Sequence, residues 1–239
     1  MMSQQQPATA TPAVDAARPK YAPWLTLLRD DPAHIRANPA PSYWALAPYQ
    51  IGQFTDTCCS LAMAVMLVNA ARGSAHLTAG EKLVTQQDLL AAVGDADWIF
   101  HCTDLHGNGA SLREMAPIME RAYAHYRVAG TRVEMVQMTD AAAHADGFRA
   151  ALAEMERSAD TQIGLNFAGA PIYGQADYGH FSPAAAYDEG RDRLLVLDVD
   201  RGWYEPYWVP VDIMLAALAT KSQKDGSPRG YLKVTLPGR

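Results

Sequence analysis

Two adjacent cysteines, Cys58 and Cys59, stand before an apolar run from Leu61 to Ala70, and a histidine and an aspartate of interest lie far downstream, His180 and Asp198. Thiol, imidazole and carboxylate together can carry nucleophilic acyl transfer. The thiolate attacks, the imidazole takes and returns a proton, and the carboxylate fixes the imidazole tautomer. Residues 60 to 71 contain no Gly or Pro, are rich in Ala, Leu and Met, and run into Arg72-Gly73, a basic last turn followed by a stop; this predicts a helix opening at Cys59. Unpaired N–H groups and the positive dipole end at a helix start stabilise a thiolate, which makes Cys59 the candidate nucleophile. Gln53 lies six residues upstream, where its amide can return over the helix start and donate to an oxyanion forming beside the sulfur. On this stretch alone, a small buried hydrophobic cysteine is an equally good reading.

His180 sits in Tyr178-Gly179-His180-Phe181-Ser182-Pro183, where Gly179 permits close approach to the nucleophile and the following strand would hold the ring. Asp198 ends the apolar run Leu194 to Leu197. A carboxylate there loses hydration unless it is paired, and neighbouring strands of one hairpin could bring it to His180. Each residue alone also reads as an ordinary turn residue. A further cluster, His101-Cys102-Thr103-Asp104-Leu105-His106, offers three ligand-type side chains in six positions. A structural metal site usually takes four, and no second cluster accompanies it, so the stretch reads as a polar loop and no metal site is assigned.

These groups need a scaffold. Residues 1 to 23 are Gln, Ala, Thr and Pro in low-complexity alternation and predict a disordered tail. Trp24 to Ile35 suggests a short helix, and Ser42 to Tyr49 an extended aromatic lead into Gln53. Thr85 caps a helix through Leu90 and Val93, and Ser111-Leu112-Arg113-Glu114 is a capping box for a helix with Met115, Ile118, Met119 and Tyr123 on one face. Val133 to Met138 alternates like a strand, and Phe148 to Met155 has helical spacing. Beyond residue 160 the pattern changes: Ile163–Phe167, Phe181–Tyr187, Leu194–Val199, Trp208–Pro210 and Tyr231–Thr235 are short apolar runs between turn residues, with a helix over Val211–Leu218. The expectation is an α+β fold over residues 24 to 239, helical to about 158 and an antiparallel sheet from about 159, with the active site in the cleft between.

Composition narrows the partners. The chain has 239 residues, 49% hydrophobic and 19% charged, with a formal net charge of -6, which argues against nucleic acid or an anionic membrane as partner. The apolar runs fall short of the ~20 residues a membrane span needs. Three cysteines, two of them adjacent, exclude a disulfide framework and fit a reducing, cytoplasmic setting, or a periplasmic one if a signal sequence was removed. A homodimer is left open.

Taken together, the motifs resemble the phytochelatin synthase family, a branch of the papain-like cysteine peptidases. Gln53, Cys59 and Ser60 match the family's nucleophile segment, Gly179-His180-Phe181-Ser182-Pro183 its histidine segment, and Leu197-Asp198-Val199 its acidic strand end. Arg201, Pro206, Trp208-Val209 and Arg229-Gly230-Tyr231 follow further family positions, so the resemblance covers about Tyr43 to Val234. It implies a papain-like fold in which Cys59 is nucleophile, His180 base and acid, Asp198 its orienter and Gln53 the oxyanion donor. Arg229, Arg201 and Gly179 are implied to contact substrate, with Arg229 pairing a carboxylate. The implied reaction is glutathione γ-glutamylcysteinyl transfer: glycine leaves, and water or a second glutathione or related thiol peptide resolves the thioester. No cofactor is implied; metal ions enter as thiolates of the substrate. Two features depart from the pattern. The family's Arg before the Gly-Gln at 174 and 175 is missing, and Cys58 fills a position commonly aromatic. The chain otherwise looks like the family's short, bacterial form. A papain-like peptidase or amidase with another substrate, and a non-enzymatic thiol or metal binder, are the alternatives.

Overall fold

The computed structural model describes residues 19–73, 77–104, 106–174 and 178–237. In chain order its elements are β1 (Thr26–Leu27), α1 (Ala33–Ala37), α2 (Pro41–Leu46), α3 (Cys59–Gly73), α4 (Gln86–Val93), α5 (Ala96–Thr103), α6 (Leu112–His125), β2 (Arg132–Gln137), α7 (Ala141–Arg157), β3 (Thr161–Ala168), α8 (Gly169–Tyr173), β4 (Gly179–Asp188), β5 (Arg193–Val196), β6 (Tyr207–Pro210), α9 (Val211–Leu218) and β7 (Gly230–Thr235). The strands form one antiparallel sheet in the order β1-β6-β5-β4-β3-β7-β2. The fold is α+β, with the long helices before the main strands, as the patterning predicts.

Alternation along the strands divides the core in two. On β5, Leu195 faces the α3 side while Leu194 and Val196 face α7 and α9; on β7, Leu232 and Val234 face the first side and Tyr231 the second. Both sheet faces are therefore covered, and every residue of β3 is buried. The face of β3 toward α3 carries Gln162, Gly164 and Asn166. Gln162 donates from Nε2 to the Leu67 carbonyl at 3.1 Å, and a Cβ on Gly164 would stand 2.8 Å from Met63 Sδ. α3 packs close on β3 at Gly164 and is buried along almost its whole length.

Local signals held where capping chemistry was explicit. Thr85 with Asp88 and Ser111 with Glu114 form complete capping boxes, and Asp140 caps α7 by accepting from the Ala142 and Ala143 N–H groups. Three expectations fail. Thr26–Leu27 pairs with Tyr207 and Trp208 as an edge strand where the helix was expected, and the Leu28 N–H donates to the Pro206 carbonyl at 2.9 Å. Residues 41 to 46 are helix, not extended: Pro41 opens the turn, and Ser42 Oγ is anchored on the Met155 carbonyl at 2.9 Å. His101 and Cys102 lie in the last turn of α5, not a loop. The expected tail over residues 1 to 23 falls mostly outside the described residues. Its end is already part of the body, because Ala22 is buried and Tyr21 Oη accepts from the Glu205 N–H at 3.2 Å.

Glycine chemistry at the β7 start gives a direct test. Gly230 has φ +150°, and a Cβ there would lie 2.0 Å from the Val136 carbonyl oxygen on the paired strand. Gly147, inside α7, has open space around its Cβ direction. Gly230→Ala should cost more than about 2 kcal/mol, whereas Gly147→Ala should stabilise by about 0.5–1 kcal/mol. Denaturant midpoints of the two variants against the parent protein measure both.

Candidate active site

Cys59 is the first residue of α3, at the end of a loop tied down on several sides. The Gln53 N–H donates to the Val199 carbonyl at 2.8 Å, Gln86 Nε2 to the Gly52 carbonyl at 2.9 Å, and Thr55 Oγ1 to the Cys102 carbonyl at 2.7 Å. The two adjacent cysteines have different surroundings. Cys58 turns inward, where its Sγ accepts the Phe54 and Thr55 N–H groups, both at 3.1 Å, and its thiol lies 3.3 Å from the Thr55 carbonyl. It pins the loop. Burial raises its pKa against those hydrogen bonds. Cys59 borders a cavity of about 520 Å³.

His180 stands at the start of β4, opposite Phe167 of β3, whose ring meets it edge-on at 5.3 Å. Its Nε2 lies 3.0 Å from Asp198 Oδ1 and 3.2 Å from Ser182 Oγ. That occupies Nε2, and Cys59 is near enough to the ring to help raise its pKa. Asp198 follows β5 in an irregular stretch and is wholly buried. It accepts from Tyr173 Oη at 2.6 Å, Tyr207 Oη at 3.2 Å and the Asp200 N–H at 2.8 Å. Burial opposes the imidazolium, but the facing Asp198 carboxylate and the Cys59 contact outweigh it and lift the His180 pKa to about 10. Burial likewise opposes the Asp198 carboxylate, while His180, Tyr173 and the Asp200 N–H hold its pKa below the usual range.

The structure thus brings Gln53, Cys59, His180 and Asp198 together. Gln53 lines the cavity, with Oε1 buried and without a hydrogen-bond partner among the described residues. Gly179 and Arg229 also line it, and a Cβ on Gly179 would stand 3.0 Å from Arg229 Nη2, so a larger residue there would press on the guanidinium. Arg229 is buried, and its Nη atoms are held by Thr220 Oγ1 at 3.1 Å, the Lys221 carbonyl and Gln223 Oε1 at 3.4 Å. Arg201 is not brought in. It is exposed, donates to the Tyr204 carbonyl at 3.1 Å and packs its Cβ over Gly52, outside the cavity lining. Gln175 lies outside the described residues.

Sequence reasoning missed several neighbours. Asn166 lines the cavity with its Oδ1 buried and unpaired among the described residues, and a polar side chain inside an apolar strand was the available signal. Asp200, Trp203 and Tyr204 form one wall, and Lys224 enters from the loop before β7. Burial raises the Asp200 pKa, with Asp198 and Asp56 adding to it and His180 opposing. Tyr173 and Tyr207 left no local trace, and Ser182 was read only as a member of the histidine segment. Among the described residues no group of three His, Cys, Asp or Glu side chains is arranged to hold a metal ion, and no helix is long and apolar enough to cross a membrane.

Comparison with known proteins places these residues in context. The family model for phytochelatin synthase matches residues 33–231. A wheat (Triticum aestivum) protein named glutathione gamma-glutamylcysteinyltransferase 1 is 34% identical over 107 residues, 45% of this chain and 21% of its own length. Proteins of the same activity name from Arabidopsis thaliana and Schizosaccharomyces pombe are each 38% identical, over 68 and 61 residues, covering 14% and 15% of their lengths. The matches to these relatives therefore span 14% to 21% of their lengths.

The two cysteine environments predict selective chemistry. Cys58 and Cys102 are 0% exposed, and burial lifts the Cys102 pKa to about 12, whereas Cys59 is 6% exposed and faces the cavity. Limiting iodoacetamide at neutral pH should label Cys59 at least tenfold faster than either other cysteine. Peptide mapping by mass spectrometry reads the ratio.

Proposed function

The chain belongs to the phytochelatin synthase family, and from that premise we propose that it is a cysteine-dependent acyl transferase acting on glutathione. The observation that carries the reading is the buried His180–Asp198 pair, 3.0 Å apart, facing a cysteine at a helix N-terminus on the cavity wall. The activity names of the relatives supply the substrate class.

In this reading the Cys59 thiolate, paired with the His180 imidazolium, attacks the carbonyl carbon of the Cys–Gly peptide bond of glutathione. The oxyanion forms beside the first turn of α3, where unpaired backbone N–H groups and the Gln53 amide can donate to it. His180 gives its proton to the departing glycine amine, leaving a γ-glutamylcysteinyl thioester on Cys59. His180, now neutral, takes a proton from the incoming nucleophile, which attacks the thioester and frees the thiolate. Asp198 keeps the imidazole oriented and balances its charge throughout. Arg229, fixed at the cavity wall, suits a carboxylate of the γ-glutamyl unit, for which guanidinium geometry offers two parallel donors. Metal ions enter bound to substrate thiols.

Water is the favoured acceptor. A second glutathione competes with ~55 M water only if the protein holds it in an attack geometry with high effective molarity. A second anion subsite would serve that purpose, and Lys224 is the cavity's other described basic side chain. Its Nζ is already engaged by Glu114 at 2.9 Å and the Gly109 carbonyl at 2.8 Å. Asp56 and Asp200 add negative charge to the same cavity. A thiol or metal binder without catalysis is disfavoured, because Cys58 and Cys102 are committed to the core.

Incubation with millimolar glutathione, with and without a soft metal ion, tests the proposal. Quenched samples should carry a γ-glutamylcysteinyl adduct on Cys59, free glycine and γ-glutamylcysteine should accumulate ahead of lengthened thiol peptides, and Cys59→Ala should abolish all three. Lengthened peptides dominating from the first time points would show an acceptor subsite and reverse the water assignment. No glycine release would remove glutathione as substrate.

A further inference from the structure

Asp198 carries four donors and has no contact with solvent. Oδ1 receives His180 Nε2 and the Asp200 N–H, while Oδ2 receives Tyr173 Oη at 2.6 Å and Tyr207 Oη at 3.2 Å. The two hydroxyls lie 3.0 Å from each other. Each has one proton, and the 2.6 Å separation of Tyr173 Oη from Oδ2 needs the Tyr173 proton between them, which leaves two arrangements: both donate to Oδ2, or Tyr207 donates to Tyr173 while Tyr173 donates to Asp198. Either way the short Tyr173 bond to the carboxylate is made, and in the second it is strengthened by polarisation. Their phenol pKa values are driven up by burial and then by the nearby Asp198 charge, so both hydroxyls remain donors.

The clamp is rigid. Tyr173 comes from α8 and is stacked on Tyr204 with ring centroids 4.0 Å apart, while Tyr207 comes from β6 and meets Tyr173 edge-on. The groups facing Asp198 are therefore His180 on β4, Tyr173 on α8, Tyr207 on β6 and Asp200 two residues on. Tyr178 and Tyr204 lie beyond the tyrosine pair, and Cys59 lies beyond His180.

We propose that Tyr173 and Tyr207 are positioning residues, whose hydroxyls keep Asp198 an anion turned toward His180 and thereby hold the thiolate–imidazolium pair together at acid pH. This rests on the reading of Cys59, His180 and Asp198 as the reacting set, not on the identity of the substrate. A buried carboxylate has lost its water, and protein donors replace it; removing donors raises the pH at which the group takes a proton. Asp198 is needed as the anion, a state present above its pKa and lost as pH falls through it. Phenylalanine at 173 or 207 keeps the ring and removes only the donor, so the acid limb of any process that needs the Cys59 thiolate moves to higher pH.

The test is the rate of Cys59 alkylation by iodoacetamide against pH, read by mass spectrometry on Tyr173→Phe, Tyr207→Phe and the double variant. The acid midpoint should rise by roughly half a pH unit or more in Tyr173→Phe, less in Tyr207→Phe and most in the double variant, with alkaline rates unchanged. Tyr123→Phe is the structural control: its hydroxyl donates to Gln162 at 2.7 Å in the core, and its loss should lower thermal stability without moving the midpoint. A superimposable profile in folded Tyr173→Phe overturns the proposal, and if that variant does not fold, an unmoved limb in Tyr207→Phe does so. Alkylation does not involve glutathione, so a moved limb without glycine release would sink the substrate assignment and leave this inference standing.

Discussion

The buried pair of His180 and Asp198 is the constraint around which the site is arranged. Withdrawing an imidazolium and a carboxylate from water costs several kcal/mol per ion unless each finds donors or acceptors inside the protein. The chain meets that cost within one short irregular stretch. β5 ends at Val196, and residues 197 to 200 leave the ladder. There Asp198 takes its four donors, the Val199 N–H donates to Ser182 Oγ at 3.3 Å, and the Val199 carbonyl accepts the Gln53 N–H. Acid, base segment and oxyanion loop are thus fastened to one another through four residues. The register shift between β4 and β5 at Ala184 and Ala186 lies beside this exit from the sheet.

The nucleophile's position follows from packing on the other side. α3 runs buried over the sheet because Gly164 leaves room for Met63, and its start is fixed by the loop that Cys58 secures with two backbone donors. One of two chemically identical residues is thereby committed to structure and the other to the cavity. The N-terminal segment braces the far edge: Trp208 Nε1 donates to the Asp31 carbonyl at 3.0 Å, and Arg193 stacks over Trp208 at 4.6 Å while pairing with Asp31 at 2.8 Å.

Much of this was legible in the sequence, for reasons that differ by residue. The α3 start was readable because an uninterrupted run of good helix formers follows Cys59, and β3 to β7 because turn residues bound each apolar run. Asp198 was recognisable because a carboxylate at the end of such a run needs a partner. Its tyrosine clamp was not, since α8 and β6 lie far apart in sequence and only strand order brings Tyr173 and Tyr207 under one carboxylate. Thr26–Leu27 and residues 41 to 46 were misread because contacts with Tyr207, Trp208 and Met155 decide them, not local propensity. Arg201 fitted a motif position, yet its side chain leaves the cavity for the Tyr204 carbonyl.

Asp198, 3.0 Å from the ring, favours the imidazolium form of His180 in the resting protein. Nitrogen-15 resonances of the His180 ring, assigned with a His180→Gln variant, report its protonation directly. A ring held with its pKa near 10, against the ordinary 6.5, keeps its proton through neutral pH and releases it only as pH rises through the raised value. An imidazolium signal should be present at pH 8 and be lost when Asp198→Asn removes the charge. A neutral imidazole at pH 8 in the unaltered protein, titrating near 6.5, would mean that Asp198 does not hold the proton on the ring.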